Sequence, residues 1–337
     1  GNEMNGTQRF PMDIPFGWFC IGYSDEVAVG DVKPLRYFGK DLVMFRGESG
    51  EIGVLDAYCP HLGAHMGHGG TVEGDSLRCP FHHWAYRKDG FCTSIPYAKE
   101  MPLIAKREPI AVPYPVVERN GAIWVWHHPQ QIAPTYEVLE HEEFVAPGWS
   151  KPVRRFWSFA SNPQEIAENG VDTAHFKCIH HMDAMPEGEV TYEGHIRRSR
   201  TTGETSMIFP DGVTRTVETG TNVINSGAGQ KISRFTGFVT ISLMEMATPV
   251  EADQVELRFC FAFPECPEGS PEWQGAMNTI DYFSGQLGIE GGDIPIWSHK
   301  IHREKPILCD GDGAIMRFRR YFEQFYAPRV VPVTASA

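Results

Sequence analysis

The sequence predicts an α+β chain of two domains. The first is a small antiparallel β domain. The second packs helices on one side of an antiparallel sheet. Three observations carry this. Residues from about 16 to 128 form short β-branched or aromatic runs bounded by Gly, Asp or Pro. A Pro- and Glu-rich connector, Gln130 to Ser150, follows. Beyond it, a helix-start signal leads into alternating stretches and then into aromatic-rich, helical sequence. At 337 residues the chain is long enough for two domains with real cores. The division is set at 15–129 and 130–337.

In the first domain, Leu42-Val43-Met44-Phe45, Gly53-Val54-Leu55 and Ala122-Ile123-Trp124-Val125-Trp126 are the clearest strands. Gly69-Gly70 and Lys88-Asp89-Gly90 punctuate as turns. Two loops, after a strand ending near Tyr58 and another ending near Arg78, carry the chemistry. His127-His128 is read as structural, because adjacent strand residues point to opposite faces.

The loops read Cys59-Pro60-His61 and Cys79-Pro80-Phe81-His82. Two cysteines and two histidines in this order suit a [2Fe–2S] cluster, with Cys59 and Cys79 on one iron and His61 and His82 on the other. Replacing two thiolates by neutral imidazoles removes negative charge from the cluster. Its reduction potential then rises to about −150 to +300 mV, above that of all-cysteine clusters. Zinc sites of the same composition space their histidines as H-x₃₋₅-H after a C-x₂₋₄-C. Here each cysteine has its own histidine in a separate loop.

The second domain opens with Asn162 as a helix cap, Pro163 at the first helical position, and Glu165 where a capping-box acid belongs. This helix is expected to carry Glu168, Asp172 and His175 at i, i+4 and i+7, on one face. His180 joins His175 only if the helix ends or bends between them. Two histidines and a carboxylate make the facial triad of non-haem Fe(II) oxygenases, which leaves positions open for O₂. Strand-like Gly237-Phe238-Val239-Thr240-Ile241-Ser242-Leu243 and Gln254-Val255-Glu256-Leu257-Arg258-Phe259-Cys260-Phe261 follow, then helix after about Glu272.

Composition excludes other classes. The net charge of −13 argues against a nucleic-acid surface or an anionic membrane. It suits a basic redox partner. No run of about 18 apolar residues predicts a transmembrane helix. The start, Gly1-Asn2-Glu3-Met4, lacks the build of a signal peptide. Cys20, Cys92, Cys178, Cys260, Cys266 and Cys309 show no repeating spacing, so free thiols in a reducing cytoplasm are expected. Gly67-His68-Gly69-Gly70 lies in a cluster loop rather than at a strand-to-helix turn, so no dinucleotide fingerprint is read and electrons must come from a separate protein.

With both halves in view, C-x-H…C-x-x-H and then Glu168, Asp172, His175 and His180, the chain resembles the terminal oxygenase component of a Rieske non-haem iron oxygenase. Rieske proteins of membrane complexes carry an extra disulfide-bonded cysteine in each loop. Here Leu62-Gly63-Ala64 and His83-Trp84 stand instead, as in the oxygenase or ferredoxin type. The resemblance implies one [2Fe–2S] cluster and one mononuclear Fe(II) per chain. It implies NAD(P)H electrons delivered by a flavin/iron–sulfur reductase or ferredoxin. It implies His175 and His180 as iron ligands, with an aspartate from a late helix as the third. Asp293, in Glu290-Gly291-Gly292-Asp293-Ile294-Pro295-Ile296-Trp297, is the best match. Asp310 and Asp312, in Cys309-Asp310-Gly311-Asp312-Gly313, are rivals that read more simply as a turn whose aspartates satisfy backbone amides. It further implies that Asp172 links His82 of one subunit to His175 of the next, hence a head-to-tail homotrimer.

Ile296-Trp297-Ser298-His299-Lys300, Cys309–Gly313 and Arg319-Arg320-Tyr321-Phe322-Glu323-Gln324-Phe325-Tyr326 are similar to the branch of 3-ketosteroid 9α-hydroxylase oxygenases, which cholesterol 7-desaturases share. The implied activity is hydroxylation or desaturation of a hydrophobic, steroid-like substrate. Two readings stand beside it. One is an aromatic-ring or demethylating Rieske monooxygenase acting on a small planar substrate. The other is a Rieske electron-transfer protein, holding about two irons per chain instead of about three.

Overall fold

The computed structural model describes residues 9–172, 188–208, 211–237, 240–288 and 292–328. Its N-terminal part contains β1 (Gly17–Tyr23), β2 (Val32–Tyr37), β3 (Lys40–Arg46), β4 (Ile52–Asp56), β5 (Thr71–Glu73), β6 (Ser76–Arg78), β7 (Ala85–Arg87), β8 (Cys92–Ser94), a short helix α1 (Leu103–Arg107), β9 (Val116–Arg119) and β10 (Ala122–His127). They form three small antiparallel sheets, ordered β1-β10-β9, β2-β3-β4 and β5-β6-β7-β8. Every residue of β10 is buried. Ile123 and Val125 pack with Phe19 and Leu42, while Ala122, Trp124 and Trp126 pack with Trp18 and Cys20. A strand covered on both faces needs an unbroken apolar run instead of an alternating one.

The C-terminal part contains β11 (Val153–Phe159), α2 (Pro163–Glu168), β12 (Glu189–Glu193), β13 (Ile196–Ile208), β14 (Thr214–Ser226), β15 (Gln230–Thr236), β16 (Ile241–Glu251), β17 (Gln254–Ala262), α3 (Pro271–Gly288), α4 (Asp293–His299) and α5 (Ile315–Phe322). Its seven strands form one antiparallel sheet, ordered β11-β17-β16-β15-β14-β13-β12. The period of two sorts β17 between two cores. Val255, Leu257, Phe259 and Phe261 face α2, α3 and α4, packing with Ile166, Ile280 and Trp297. Cys260 and Ala262 face the first domain, packing with Trp18 and Trp124. Helices on one side of an antiparallel sheet is the architecture the sequence predicts.

Polar contacts between the domains are specific. Phe38 and Gly39 amides donate to the Pro249 and Val250 carbonyls at 3.0 and 2.8 Å. The Tyr37 hydroxyl donates to Glu256 at 2.5 Å, and buried Arg258 donates to Tyr37 at 3.3 Å.

Two expectations are corrected. The stretch Gly237–Leu243 is not one strand: β15 stops at Thr236, Gly237 takes φ +133°, and β16 begins at Ile241. The iron-motif helix does not run on through Asp172. It closes at Glu168, and Asn169, Gly170 and Val171 make a turn. Glycine is poor at continuing a helix, and a Cβ at Gly170 would stand only 3.0 Å from the Lys231 ammonium nitrogen. Asp172 follows beyond the helix, though its amide still bonds to the Glu168 carbonyl four residues back at 3.2 Å. Asn162 caps as expected, accepting from the Glu165 amide at 3.0 Å, but the Glu165 carboxylate turns away from the cap.

Candidate functional site

The two cluster loops are built to one plan. The Cys59 amide donates to Ala64 O at 2.8 Å, and the Gly63 amide donates back to Cys59 O at 2.9 Å. The Cys79 amide donates to Trp84 O at 2.7 Å, and the His83 amide donates back to Cys79 O at 3.1 Å. In both loops the residue four after the cysteine is left-handed, Gly63 at φ +83° and His83 at φ +63°. Glycine adopts this conformation freely, and histidine is among the few other residues that tolerate it. Gly70 underpins the first loop. A Cβ there would lie 2.1 Å from the Met66 carbonyl oxygen.

These loops bring the four predicted ligands together. The His61 and His82 rings stand 4.8 Å apart, nearly perpendicular. Cys59 and Cys79 are buried, and the Cys59 thiol lies within hydrogen-bonding reach of Cys79. Burial raises the Cys79 pKa, amides of Phe81 and His82 oppose that, and the neighbouring Cys59 adds to it. Two adjacent buried thiolates repel unless cationic metal stands between them. Among the described residues, no group of three or more His, Cys, Asp or Glu side chains surrounds a single ion position. The two thiols lie side by side and so do the two imidazoles, the two pairs that two irons require. The donor set and its pairing thus fit a [2Fe–2S] cluster.

Side chains that the motif did not point to complete this end. The Tyr86 hydroxyl sits 3.2 Å from Cys59 Sγ. Burial, then Cys59, hold that phenol protonated, so it donates to a thiolate there. Trp84 stacks on His61, with ring centres 4.2 Å apart and an interplanar angle of 13°, and Phe81 stacks on His82 at 3.9 Å. Aromatic residues beside ligands were the available signal, but sequence alone does not say which ring meets which histidine.

At the second site, His175 and His180 lie outside the described residues. Asp172 is half-buried just past α2, its amide 3.2 Å from Glu168 O. Asp293 is buried as the first residue of α4, after Gly292 in extended conformation. Asp310 is exposed, and Asp312 accepts from the Cys309 amide at 2.8 Å, the turn role expected for that segment. Burial on a helix that packs against the sheet sets Asp293 apart from its rivals.

Helix α2 is held by the C-terminal strings. Glu165 meets Lys300 at 2.5 Å and His302 at 2.7 Å. Glu168 receives Arg319, and Gln164 accepts from the Tyr326 hydroxyl at 2.7 Å. Arg9 donates to the Trp297 and Lys300 carbonyls at 2.7 and 3.1 Å, closing the end of α4. The segments leading to Asp172 and to Asp293 are therefore tied together. Around them, Trp297 stacks on Phe159 at 5.7 Å and Phe235 on Phe283 at 5.2 Å, giving an aromatic, water-poor surround. His127 is structural, stacked on Phe38 at 4.5 Å.

Comparison with known proteins matches two family models along the chain. Residues 17–112 match the Rieske [2Fe-2S] domain family, and residues 125–326 match the 3-Ketosteroid 9alpha-hydroxylase C-terminal domain family. A probable 3-ketosteroid-9-alpha-monooxygenase oxygenase component from Rhodococcus rhodochrous is 32% identical, over 92% of this chain and 79% of that protein. Cholesterol 7-desaturase nvd of Drosophila melanogaster is 30% identical, over 95% of this chain and 76% of that protein. Among solved structures, dicamba monooxygenase bound to 3,6-dichlorosalicylic acid superposes with TM-score 0.72 at 18% identity, covering 92% of this chain and 96% of that one. NdmA of Pseudomonas putida CBB5 with caffeine gives 0.70 at 18%, covering 94% and 90%.

Proposed function

This chain belongs to the family of Rieske oxygenase components that includes 3-ketosteroid 9α-monooxygenases and cholesterol 7-desaturases, and from that membership we propose a hydrophobic, steroid-like substrate, hydroxylated or desaturated at an unactivated C–H position. The enzyme is an O₂-dependent oxidoreductase that uses a [2Fe–2S] cluster and mononuclear iron, with electrons from a separate component. The carrying observation is that relatives over nine-tenths of the chain are named for steroid or sterol oxidation. Likeness to dicamba monooxygenase and NdmA concerns the fold and adds nothing about substrate.

The residue roles are those that the two motifs and the family membership support. Cys59, His61, Cys79 and His82 hold the cluster, and Tyr86 donates to the Cys59 sulfur. His175, His180 and Asp293 hold the iron, which when bound supplies oxygen activation beside the substrate. Asp172 orients His175 and reaches His82 of the neighbouring subunit in a head-to-tail trimer. The half-exposed His82, at the tip of its loop, suits that contact. Aromatic side chains around α4 exclude water and seat an apolar substrate. The cytoplasm is the setting. Cys20, Cys92, Cys260, Cys266 and Cys309 are all free thiols, and among the described residues no helix is long and apolar enough to cross a membrane.

The test is a single turnover. The protein is reduced without air, offered 3-ketosteroids, sterols and small aromatics separately, and given O₂. A steroid gaining one oxygen or losing two hydrogens is the expected product. Product from a small aromatic alone discards the steroid reading. Silence with about two irons per chain revives the electron carrier.

A further inference from the structure

The cluster's two histidines are escorted differently. His82 stacks only on Phe81, which is 62% exposed at the loop tip. His61 stacks on Trp84, and the Trp84 indole N–H donates to the Tyr97 hydroxyl at 2.7 Å. Tyr97 is itself 62% exposed. A continuous aromatic contact thus runs from solvent through Tyr97 and Trp84 to the His61 ring. Tyr97 approaches His82 only at 6.5 Å between ring centres, edge to face.

The surface around Tyr97 has a character of its own. Tyr97 lies just before α1, which is anchored by buried Ala105 in the same core cluster as Trp84, Ala98 and Met101. That anchoring turns Leu103 and Ile104 outward, 59% and 57% exposed. Lys99, Lys106 and Arg107 are exposed on the same segment, where Glu100 pairs with Lys106 at 3.9 Å and Glu108 is exposed beside Arg107. On a chain of net charge −13, an exposed apolar patch on a segment whose cations outnumber its anions is an exception. Exposed apolar groups with a polar rim mark interaction sites, and complementary charge steers association.

We propose that Tyr97 and Trp84 form the electron entry port to His61, and that the acidic face of the reducing partner docks over Tyr97, Leu103 and Ile104. His82 then serves the exit towards iron, a division resting on the role given to His82 above. One electron passes from the partner's reduced cofactor to the oxidised cluster, and no bond forms or breaks. Trp84 is a positioning residue, fixing the His61 ring plane by stacking.

The test compares reductants. Cluster bleaching is followed by stopped flow with a reduced all-cysteine [2Fe–2S] ferredoxin (supplied by its reductase and NADH), and separately with dithionite. Tyr97→Ala is expected to slow ferredoxin-driven reduction by about tenfold or more, the scale of losing an aromatic hot spot. Dithionite reduction, reduction potential and EPR spectrum stay as in the parent. Lys99→Glu with Arg107→Glu weakens ferredoxin binding measured directly, and more so at low salt. An unchanged ferredoxin-driven rate in Tyr97→Ala overturns the port. So does an equal slowing with dithionite together with an altered EPR spectrum, which assigns Tyr97 to holding the cluster. Chemically pre-reduced Tyr97→Ala must still give full single-turnover product. Loss of product there places Tyr97 on the exit side and also overturns the proposal. Normal single turnover in pre-reduced Asp172→Asn would remove only the His82 exit reading.

Discussion

Arg319, on α5, holds both carboxylate oxygens of Glu168, the residue that ends α2. Both side chains are nearly buried, 12% and 8% exposed. A C-terminal helix thereby fixes the end of the element that delivers Asp172. Removing one partner of such a pair leaves the other charge buried and unpaired, at a cost of about 3–5 kcal/mol. Arg319→Met should lower stability by about 3 kcal/mol on that basis and reduce mononuclear iron content, with the cluster spectrum retained. Pairing it with Glu168→Gln should recover part of the loss. Denaturant unfolding and iron analysis read the result, and iron loss without any change in stability contradicts the clamp.

Tyr86 donates to the Cys59 sulfur, and hydrogen bonds to cluster sulfurs raise the potential by favouring the more electron-rich state. Tyr86→Phe should therefore lower the potential by some tens of millivolts, since about 1.4 kcal/mol corresponds to about 59 mV for one electron. Redox titration by EPR measures it. An unchanged potential with an intact cluster removes Tyr86 from the electron chemistry.

Two buried histidines set an acid limit. Burial, aided by Lys40 and His128, pushes His127 down to about 3, and burial with Arg234 pushes His141 down to about 4, against an ordinary value of 6.5. Both groups stay neutral in the folded chain, while the unfolded chain protonates them below about 6.5. Stability is thus fully present above that pH and is lost as pH falls towards 4, by about 1.4 kcal/mol per pH unit for each histidine. His127→Phe, which keeps an aromatic ring against Phe38, should remove about half of that slope. Unfolding free energies between pH 7 and 4 provide the check.

The left-handed position after the second cluster histidine carries His83, where its counterpart loop has Gly63. His83→Gly should stabilise the loop by about 1 kcal/mol, the scale of a non-glycine residue held left-handed, and leave the EPR spectrum unchanged. Gly70→Ala should do the opposite and lower [2Fe–2S] content, because its methyl would collide with the Met66 carbonyl. Cluster content per chain reports both variants.

For the iron site, Asp293→Ala should lose mononuclear iron and spare the cluster. The same change at Asp310 or Asp312 should lose neither. Asp172→Asn should keep both metals and nearly abolish turnover. Full activity with normal metal content in Asp172→Asn would sink its bridging role.

Much of this protein was legible before folding. Cys59, His61, Cys79 and His82 are named by spacing, because a cluster needs its ligands in two loops and the loops are local. The strands of the first domain and the cap at Asn162 are equally local, set by residues a few positions apart. The strings around Lys300 and Arg319 stood out in sequence as branch resemblance, but their physical role did not.

That role belongs to tertiary structure. Lys300 and His302 meet Glu165 across more than 130 residues, and Arg319 meets Glu168 across 151. No period or motif encodes such a pairing; only the packing of α4 and α5 against α2 brings the charges together. At the turn after α2, Gly170 likewise lies against the Lys231 side chain of β15, a contact that no local pattern encodes. The sequence by itself determined the two-loop Cys-and-His motif and the order of a β part followed by a helix-and-sheet part, because both rest on short-range spacing and hydrophobic period. Tertiary structure decided which aspartate is buried, that Trp84 of one loop covers His61 of the other, and what holds α2 in place, because those depend on contacts between separate elements.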